Sequence, residues 1–279
     1  MNALIVENLT KKYPSFSLDK VSFSVANGHI AGLIGANGAG KSTIIKSILQ
    51  LVSASGKITV FGKDISDNEI AIKQLIGFVG GGFRFYPMKK LSSVRKIYAA
   101  FYPAWNQEKY NNYLLQFNIS ESKRVKELSD GMKIKFALAL ALSHGAKLLI
   151  LDEPTSGLDP LSREEFCDIM LALVNSEHVS ILFSTHITSD LMRIADDVIY
   201  ISRGRVLADC PLQELTSRYS IGVFDTLQQA KDAKAIGIKS VKSGYEGLLL
   251  YNSSAMNTNV KKATLDDIMI HLEIADKRK

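Results

Sequence analysis

The 279-residue chain has little cysteine: two residues, Cys167 and Cys210, in unrelated segments without metal-like spacing. That excludes a disulfide framework and a cysteine-built metal site, and it points to a reducing compartment. Long apolar runs are also missing. The longest, 136–142 and 148–151, are broken by Ser143, His144 and Lys147 and fall well short of the ~18–20 residues that cross a bilayer. The N-terminus carries Glu7 and Lys11-Lys12 in place of a basic, apolar, small-residue signal pattern. There is no heptad run, internal repeat or low-complexity segment. Charge is not concentrated either. The net charge of +6 comes from scattered basic residues, with small groups at Lys11-Lys12, Lys123-Arg124 and 277–279. Such scatter reads as a solvated surface rather than a nucleic-acid stripe. The expectation is a soluble, cytoplasmic chain, with any membrane span supplied by another subunit.

The strongest feature present is Gly35-Ala36-Asn37-Gly38-Ala39-Gly40-Lys41-Ser42-Thr43, which fits the phosphate-loop pattern of a glycine, four free positions and Gly-Lys-Ser/Thr. Apolar residues 30–34 before it read as a buried strand, and residues 43–49 after it as helix. Glycines allow several backbone N–H groups to turn toward one anion, and the helix start adds its positive dipole end. Lys41 would reach the β- and γ-phosphates, and the Ser42 hydroxyl would hold Mg²⁺. The chain binds a nucleoside triphosphate on this evidence alone.

Other chemistry-bearing residues sit at the ends of apolar strands. Residues 147–151 form a continuous apolar run ending in Asp152-Glu153-Pro154, as expected of a central parallel strand. Two carboxylates at its carboxyl end need a cation or proton to handle. Residues 180–184 deliver Thr185-His186 to the same edge. Ser129 and Gly131 open a strongly helical Ala/Leu stretch, so the helix start there is a second plausible phosphate site. Ser156-Gly157-Leu158-Asp159-Pro160 is a turn before an amphipathic helix over 161–175. Tyr13 lies in a turn between strands 3–7 and 21–25, where it either stacks on a nucleobase or packs on its own hairpin. A short helix is expected over 69–76 and a strand over 76–79, running into Gly80-Gly81-Gly82. Residues ~90–146 read as a helical insert rich in aromatics. Part of that cluster packs its core, and Phe83, Phe85, Tyr86 and Met88 would form a groove for a partner helix. After residue 212 comes a small α/β unit with helices near 211–218 and from Thr264, and strands near 221–225, 238–242 and 247–251.

Taken in order, the motifs GANGAGKST, LSDGM, KLLILDEP, SGLD and STH resemble the ATP-binding subunits of ATP-binding-cassette (ABC) transporters, over residues 1–212. The closest likeness is to bacterial export-type (ABC-2) systems, whose signature reads LSxGM; the ending ATLDDIMIHLE is similar to their tail. The resemblance implies an α/β fold: a P-loop NTPase cassette with a RecA-like core, an antiparallel β subdomain and a helical subdomain. Residues 213–279 form a small accessory domain. It implies that Gly35, Asn37, Gly38, Ala39, Gly40, Lys41, Ser42 and Thr43 bind ATP, with Tyr13 stacking on adenine. Asp152 and Ser42 serve Mg²⁺, Glu153 polarises the attacking water and His186 touches the γ-phosphate. Ser129 and Gly131 cap the nucleotide of a second ATP-binding subunit, and Asp159 communicates across the dimer. A membrane permease is the other implied partner, with the chain peripheral on the inner membrane face and no nucleic acid involved. A soluble cassette acting on nucleic acid or ribosomes, and an ATP sensor with weak hydrolysis, are the rival readings. Two positions depart from the family pattern. Gly80-Gly81-Gly82 stands where a Gln usually contacts Mg²⁺, and Asp130 replaces the first signature glycine and should point away from the phosphate.

Overall fold

The computed structural model describes residues 1–80, 86–250 and 259–277, and the chain divides into two units, Met1–Val206 and Leu207–Lys279. The elements of the first run in the order β1 (Asn2–Lys12), β2 (Ser17–Ala26), β3 (Ile30–Ile34), α1 (Lys41–Ile48), β4 (Ser55–Val60), β5 (Lys63–Asp64), α2 (Ile65–Lys73), β6 (Ile76–Gly80), α3 (Leu91–Ala100), α4 (Gln107–Gln116), α5 (Asp130–Ser143), β7 (Leu148–Asp152), α6 (Pro160–Glu177), β8 (Ser180–Thr185), α7 (Thr188–Ile194) and β9 (Asp197–Ser202), and β10 (Arg205–Pro211) runs across the boundary.

Two sheets organise them. The antiparallel sheet has the order β2-β1-β4-β5. Its strand β1 outruns the expected 3–7 because it is paired along both edges, with β2 and with β4. The second sheet has the order β10-β9-β3-β8-β7-β6, and β6, β7, β8, β3 and β9 are parallel. Every residue of β3 and β8 is buried, which is why they read as unbroken apolar runs without a period of two. Register levels the carboxyl ends of these strands: Ile34 lies opposite Thr185, and Asp152 opposite both Ser184 and Gly80. Val6 and Phe23 of the first sheet share one buried cluster with Ile44 and Ile48 of α1 and with Ile150, Leu182 and Ile201 of the second. Each such side chain contributes roughly 1.5–3 kcal/mol by leaving water. The phosphate-loop helix is thereby clamped between two sheets.

Helix α2 begins four residues before the expected start at 69 and ends at Lys73. Its cap explains the shift: Asp64 accepts the Ser66 N–H at 2.9 Å, which satisfies an otherwise unpaired donor. In the aromatic-rich segment, Tyr98 stacks on Tyr102 at 4.8 Å, and Tyr110 meets Trp105 at 5.3 Å and Phe136 at 6.5 Å between centroids. Tyr110 and Phe136 are buried, and Tyr98, Tyr102 and Trp105 are half-buried around them. Tyr86 and Met88 are exposed, whereas Phe83 and Phe85 of the expected groove lie outside the described residues, as do Gly81 and Gly82.

The second unit contains α8 (Leu212–Ser217), β11 (Tyr219–Phe224), α9 (Leu227–Asp232), β12 (Ile236–Val241), β13 (Gly244–Leu250), β14 (Asn259–Lys262) and α10 (Leu265–Lys277). Its strands form an antiparallel sheet in the order β12-β13-β11-β14. Helix α9 was not expected, although its Thr226/Gln229 capping box is present in the sequence.

Candidate functional site

The loop from Gly35 to Gly40 leaves the buried strand β3 and enters α1 through a left-handed Gly40 (φ 117). A Cβ there would meet Leu18 Cδ2 at 2.7 Å and Phe16 Cζ at 2.9 Å, so glycine is required on both counts. Lys41, only 6% exposed, turns its Nζ back to donate to the Gly35 carbonyl at 2.7 Å. The same Nζ lies 3.5 Å from Glu153 Oε1. The loop therefore holds its cation in place, with a carboxylate as counter-charge.

Strands β7 and β8 bring in the rest. Ser184 Oγ donates to Asp152 Oδ1 at 2.6 Å and accepts the Glu153 N–H at 3.1 Å. Ser42 Oγ lies 3.4 Å from Asp152 Oδ1. Glu153 itself adopts a left-handed backbone (φ 51), a conformation that costs a non-glycine residue roughly 1–2 kcal/mol and is kept where a side chain must be aimed. Its Oε2 lies 2.7 Å from His186 Nδ1. Lys41, Glu153 and His186 thus form a chain of contacts lining a cavity of about 630 Å³, together with Asn37, Gly38, Gly40, Ser42 and Thr43. Ser15, Phe16 and Ser156 also line it. The sequence reading missed those three and Ser184. A polar residue at the end of an otherwise apolar strand was the available signal for Ser184.

Tyr13 does not line this cavity. It borders an adjoining one of about 580 Å³, with Lys12, Phe16, Gly38 and Arg203. The ring is 40% exposed and carries Lys11 Nζ 5.3 Å from its centroid. Ser129, Gly131 and Asp159 form a different group. Ser129 Oγ accepts the Met132 N–H at 3.2 Å and caps α5. A Cβ on Gly131 would lie 3.3 Å from Ser162 Oγ. Asp159 accepts from Ser162 Oγ and N at 2.6 and 3.0 Å, and these bonds hold its carboxyl below the usual range. None of the three lines the phosphate cavity. Asp130 is 71% exposed and paired with Lys133 at 2.8 Å.

Hard-cation chemistry fits this edge. Ser42 and Asp152 present oxygen donors side by side, the type Mg²⁺ takes. Among the described residues no group of three His, Cys, Asp or Glu could hold a metal alone. Phosphate oxygens and water would complete the shell, as is usual for Mg²⁺. Also among the described residues, no helix is long and apolar enough to cross a membrane.

The family model described as ABC transporter matches residues 18–156. The chain is 31% identical over 232 residues to the uncharacterized ABC transporter ATP-binding protein YdbJ of Bacillus subtilis, covering 82% of this chain and 75% of that protein. It is 34% identical over 215 residues to the bacitracin transport ATP-binding protein BcrA of Bacillus licheniformis, covering 76% and 70%. A solved structure of the ATP-binding subunit of an ABC transporter superposes with a TM-score of 0.68 at 28% identity, covering 76% of this chain and 91% of that one.

Proposed function

Because the chain belongs to the ABC transporter ATP-binding proteins, we propose that it drives an export permease from the inner membrane face, using two composite sites in a dimer. It binds and hydrolyses ATP as the motor subunit of a transporter. The observation carrying the finer reading is a separation: Lys41, Glu153 and His186 share one cavity, while Ser129 and Gly131 stand outside it. Ser129 and Gly131 then complete the site of a second ATP-binding subunit arranged head to tail.

Phosphoryl transfer needs positioning and charge neutralisation more than covalent chemistry. A bound triphosphate offers Lys41 a stronger anion than the Gly35 carbonyl or Glu153. Its ammonium moves to the β- and γ-phosphates, and the Glu153 carboxylate is released to orient the attacking water. His186 holds that carboxylate through Nδ1 and presents the rest of its ring toward the γ-phosphate. Asp152, fixed by Ser184, would hold Mg²⁺ with Ser42, and the cation would supply charge neutralisation for the phosphates. Tyr13 provides a face for the base. Strand β6 ends at Gly80, opposite Asp152, and the sequence there has glycines in place of the Mg²⁺-contacting Gln of the family, so coupling to the permease rests on other contacts. Tyr86 and Met88 are exposed apolar groups suited to a permease helix. Export as the direction rests on the LSxGM signature and the ATLDDIMIHLE ending, which are similar to those of export-type systems. We assign residues 1–212 to the ATP-binding domain, with a helical subdomain over about 90–146, and 213–279 to an accessory domain that stabilises the dimer.

The test is Glu153→Gln with ATP and magnesium chloride on a sizing column. ATP should yield a long-lived dimer and ADP a monomer, with turnover gone. A variant that hydrolyses ATP at the wild-type rate removes Glu153 from its role. A variant that binds ATP but stays monomeric removes the composite site. Copurification of nucleic acid in place of a hydrophobic subunit would favour a soluble cassette.

A further inference from the structure

We infer that Ser15 holds a ribose hydroxyl of the bound nucleotide and makes the site prefer ribonucleotides to their deoxy analogues. This rests on the reading of the cavities around Tyr13 and Lys41 as a nucleotide site. Among the described residues, Ser15, Phe16 and Gly38 border both cavities. Of the same two cavities, Tyr13 borders the one for the base alone, and Lys41, Ser42 and Thr43 border the one for the phosphates alone. A nucleotide that spans both therefore has its sugar at the shared residues.

That junction is held by short connections. Lys12 of β1 pairs with Ser17 of β2, and between them the Tyr13 N–H donates to the Phe16 carbonyl at 2.8 Å. The bond closes the loop on Pro14 and Ser15, and the Pro14 ring fixes its own φ. Phe16 packs half-buried against the core shared by the two sheets. Its Cζ lies 2.9 Å from where a Cβ on Gly40 would stand. The turn at Gly204 ties the same hairpin to the phosphate loop. Its N–H donates to the Ala39 carbonyl at 2.9 Å, and its carbonyl accepts the Asp19 N–H at 2.9 Å. Ser15 thus leaves a backbone fixed relative to the loop that holds the phosphates.

The chemistry at the junction singles out one hydroxyl. Phe16 offers only an apolar ring. Gly38 has no side chain, and a Cβ there would meet nothing within 4 Å, so the space is open to a sugar. Ser15 alone of the three has a polar side chain. It is exposed, and its hydroxyl has no hydrogen-bond partner among the described residues. A serine hydroxyl both donates and accepts, as each ribose hydroxyl does, so the pair can form in either direction. The other hydroxyls stand to one side or the other. Tyr13 and Ser17 border the base cavity, and Ser42, Thr43 and Ser156 the phosphate cavity.

The experiment measures binding of ADP, 2′-deoxy-ADP and 3′-deoxy-ADP, each with magnesium chloride, to the full chain and to Ser15→Ala and Ser15→Thr. Diphosphates avoid turnover during the titration. Wild type should bind at least one deoxy analogue about fivefold more weakly than ADP, the scale of one net hydrogen bond. Ser15→Ala should weaken ADP by about the same factor and bind all three alike. Ser15→Thr keeps the hydroxyl and should keep the preference. Both variants should melt with wild type, because the Ser15 side chain bonds no described residue. Equal binding of all three by wild type overturns the inference, and so does a preference that survives unchanged in Ser15→Ala. A loss in Ser15→Ala that is equal for ADP and both analogues overturns it too, since it would place the serine against the base or the phosphates. If wild type binds none of the three, or Tyr13→Ala and Lys41→Ala both leave ADP binding unchanged, the underlying site reading fails instead.

Discussion

The six-stranded sheet meets two contrasting environments at its two ends, and each contains a histidine. At the carboxyl end His186 is 46% exposed and bonded to Glu153, in a row of contacts that runs on to Lys41. Toward the amino end His144 follows α5 and precedes β7, 1% exposed, with its ring 3.8 Å from that of Tyr102. Neither of its nitrogens has a hydrogen-bond partner among the described residues. The same residue type is thus an exposed hydrogen-bonding group beside a cavity at one end and a packed aromatic at the other. Partners and exposure decide the difference, since a buried polar atom without a partner costs stability whereas an exchangeable bond at a cavity wall costs little.

The largest test breaks the carboxyl end. Lys41→Ala removes the ammonium that Gly35 O and Glu153 now hold. ATP affinity should fall by roughly a thousandfold, about 4 kcal/mol, measured by titration calorimetry, while the melting temperature without nucleotide changes far less. Equal losses of both would mean that Lys41 is structural.

The next addresses the amino end. Burial pushes the His144 pKa down to about 4 from 6.5. Between those values the unfolded chain binds a proton that the folded chain refuses, so stability falls as pH drops from about 6.5 toward 4 and is level above. The full loss is about 3 kcal/mol. Urea unfolding at pH 7.5 and pH 4.5 should show that His144→Phe, which keeps a ring against Tyr102, lacks most of this acid loss. A variant with the wild-type pH slope would place the sensitivity elsewhere.

Legibility in the sequence follows how local each feature is. Gly35–Thr43 is contiguous, and its strand and helix flanks could be read with it. Asp152, Glu153 and His186 were legible because each ends an apolar strand, and the shared edge follows from parallel pairing. Ser184 was not, because its bond to Asp152 depends on a register between segments 32 residues apart. Phe16 and Arg203 were hidden for the same reason: a hairpin and a distant turn return to the loop. The early start of α2 depends on the Asp64 cap, a single hydrogen bond that the expected helix over 69–76 does not include. Aromatic content could not separate buried Tyr110, on α4, from exposed Tyr86, outside the helices, since composition does not say which rings an element packs inward.

Ser184→Ala sharpens the contrast without removing a charge. Asp152 loses a 2.6 Å donor and the Glu153 N–H loses a side-chain acceptor, although that N–H keeps the Ser184 carbonyl at 3.0 Å. The expected cost is about 2 kcal/mol, expressed as a higher magnesium concentration for half-maximal ATPase activity. A comparable hydroxyl deletion in the aromatic cluster, Tyr102→Phe, should leave the magnesium dependence untouched.

The smallest effect is expected at Ser129, which has one role in the isolated chain and another in the proposed dimer. In the isolated chain its Oγ caps α5 through the Met132 N–H, so Ser129→Ala should cost about 1 kcal/mol of stability without nucleotide. Ser129→Asp restores the cap and suits the helix dipole, yet it would place a carboxylate against the partner's γ-phosphate. Aspartate should therefore rescue the melting temperature while blocking ATP-dependent dimerisation on a sizing column. If aspartate rescues both, the start of α5 is a helix cap alone, and the composite site must be built from other residues.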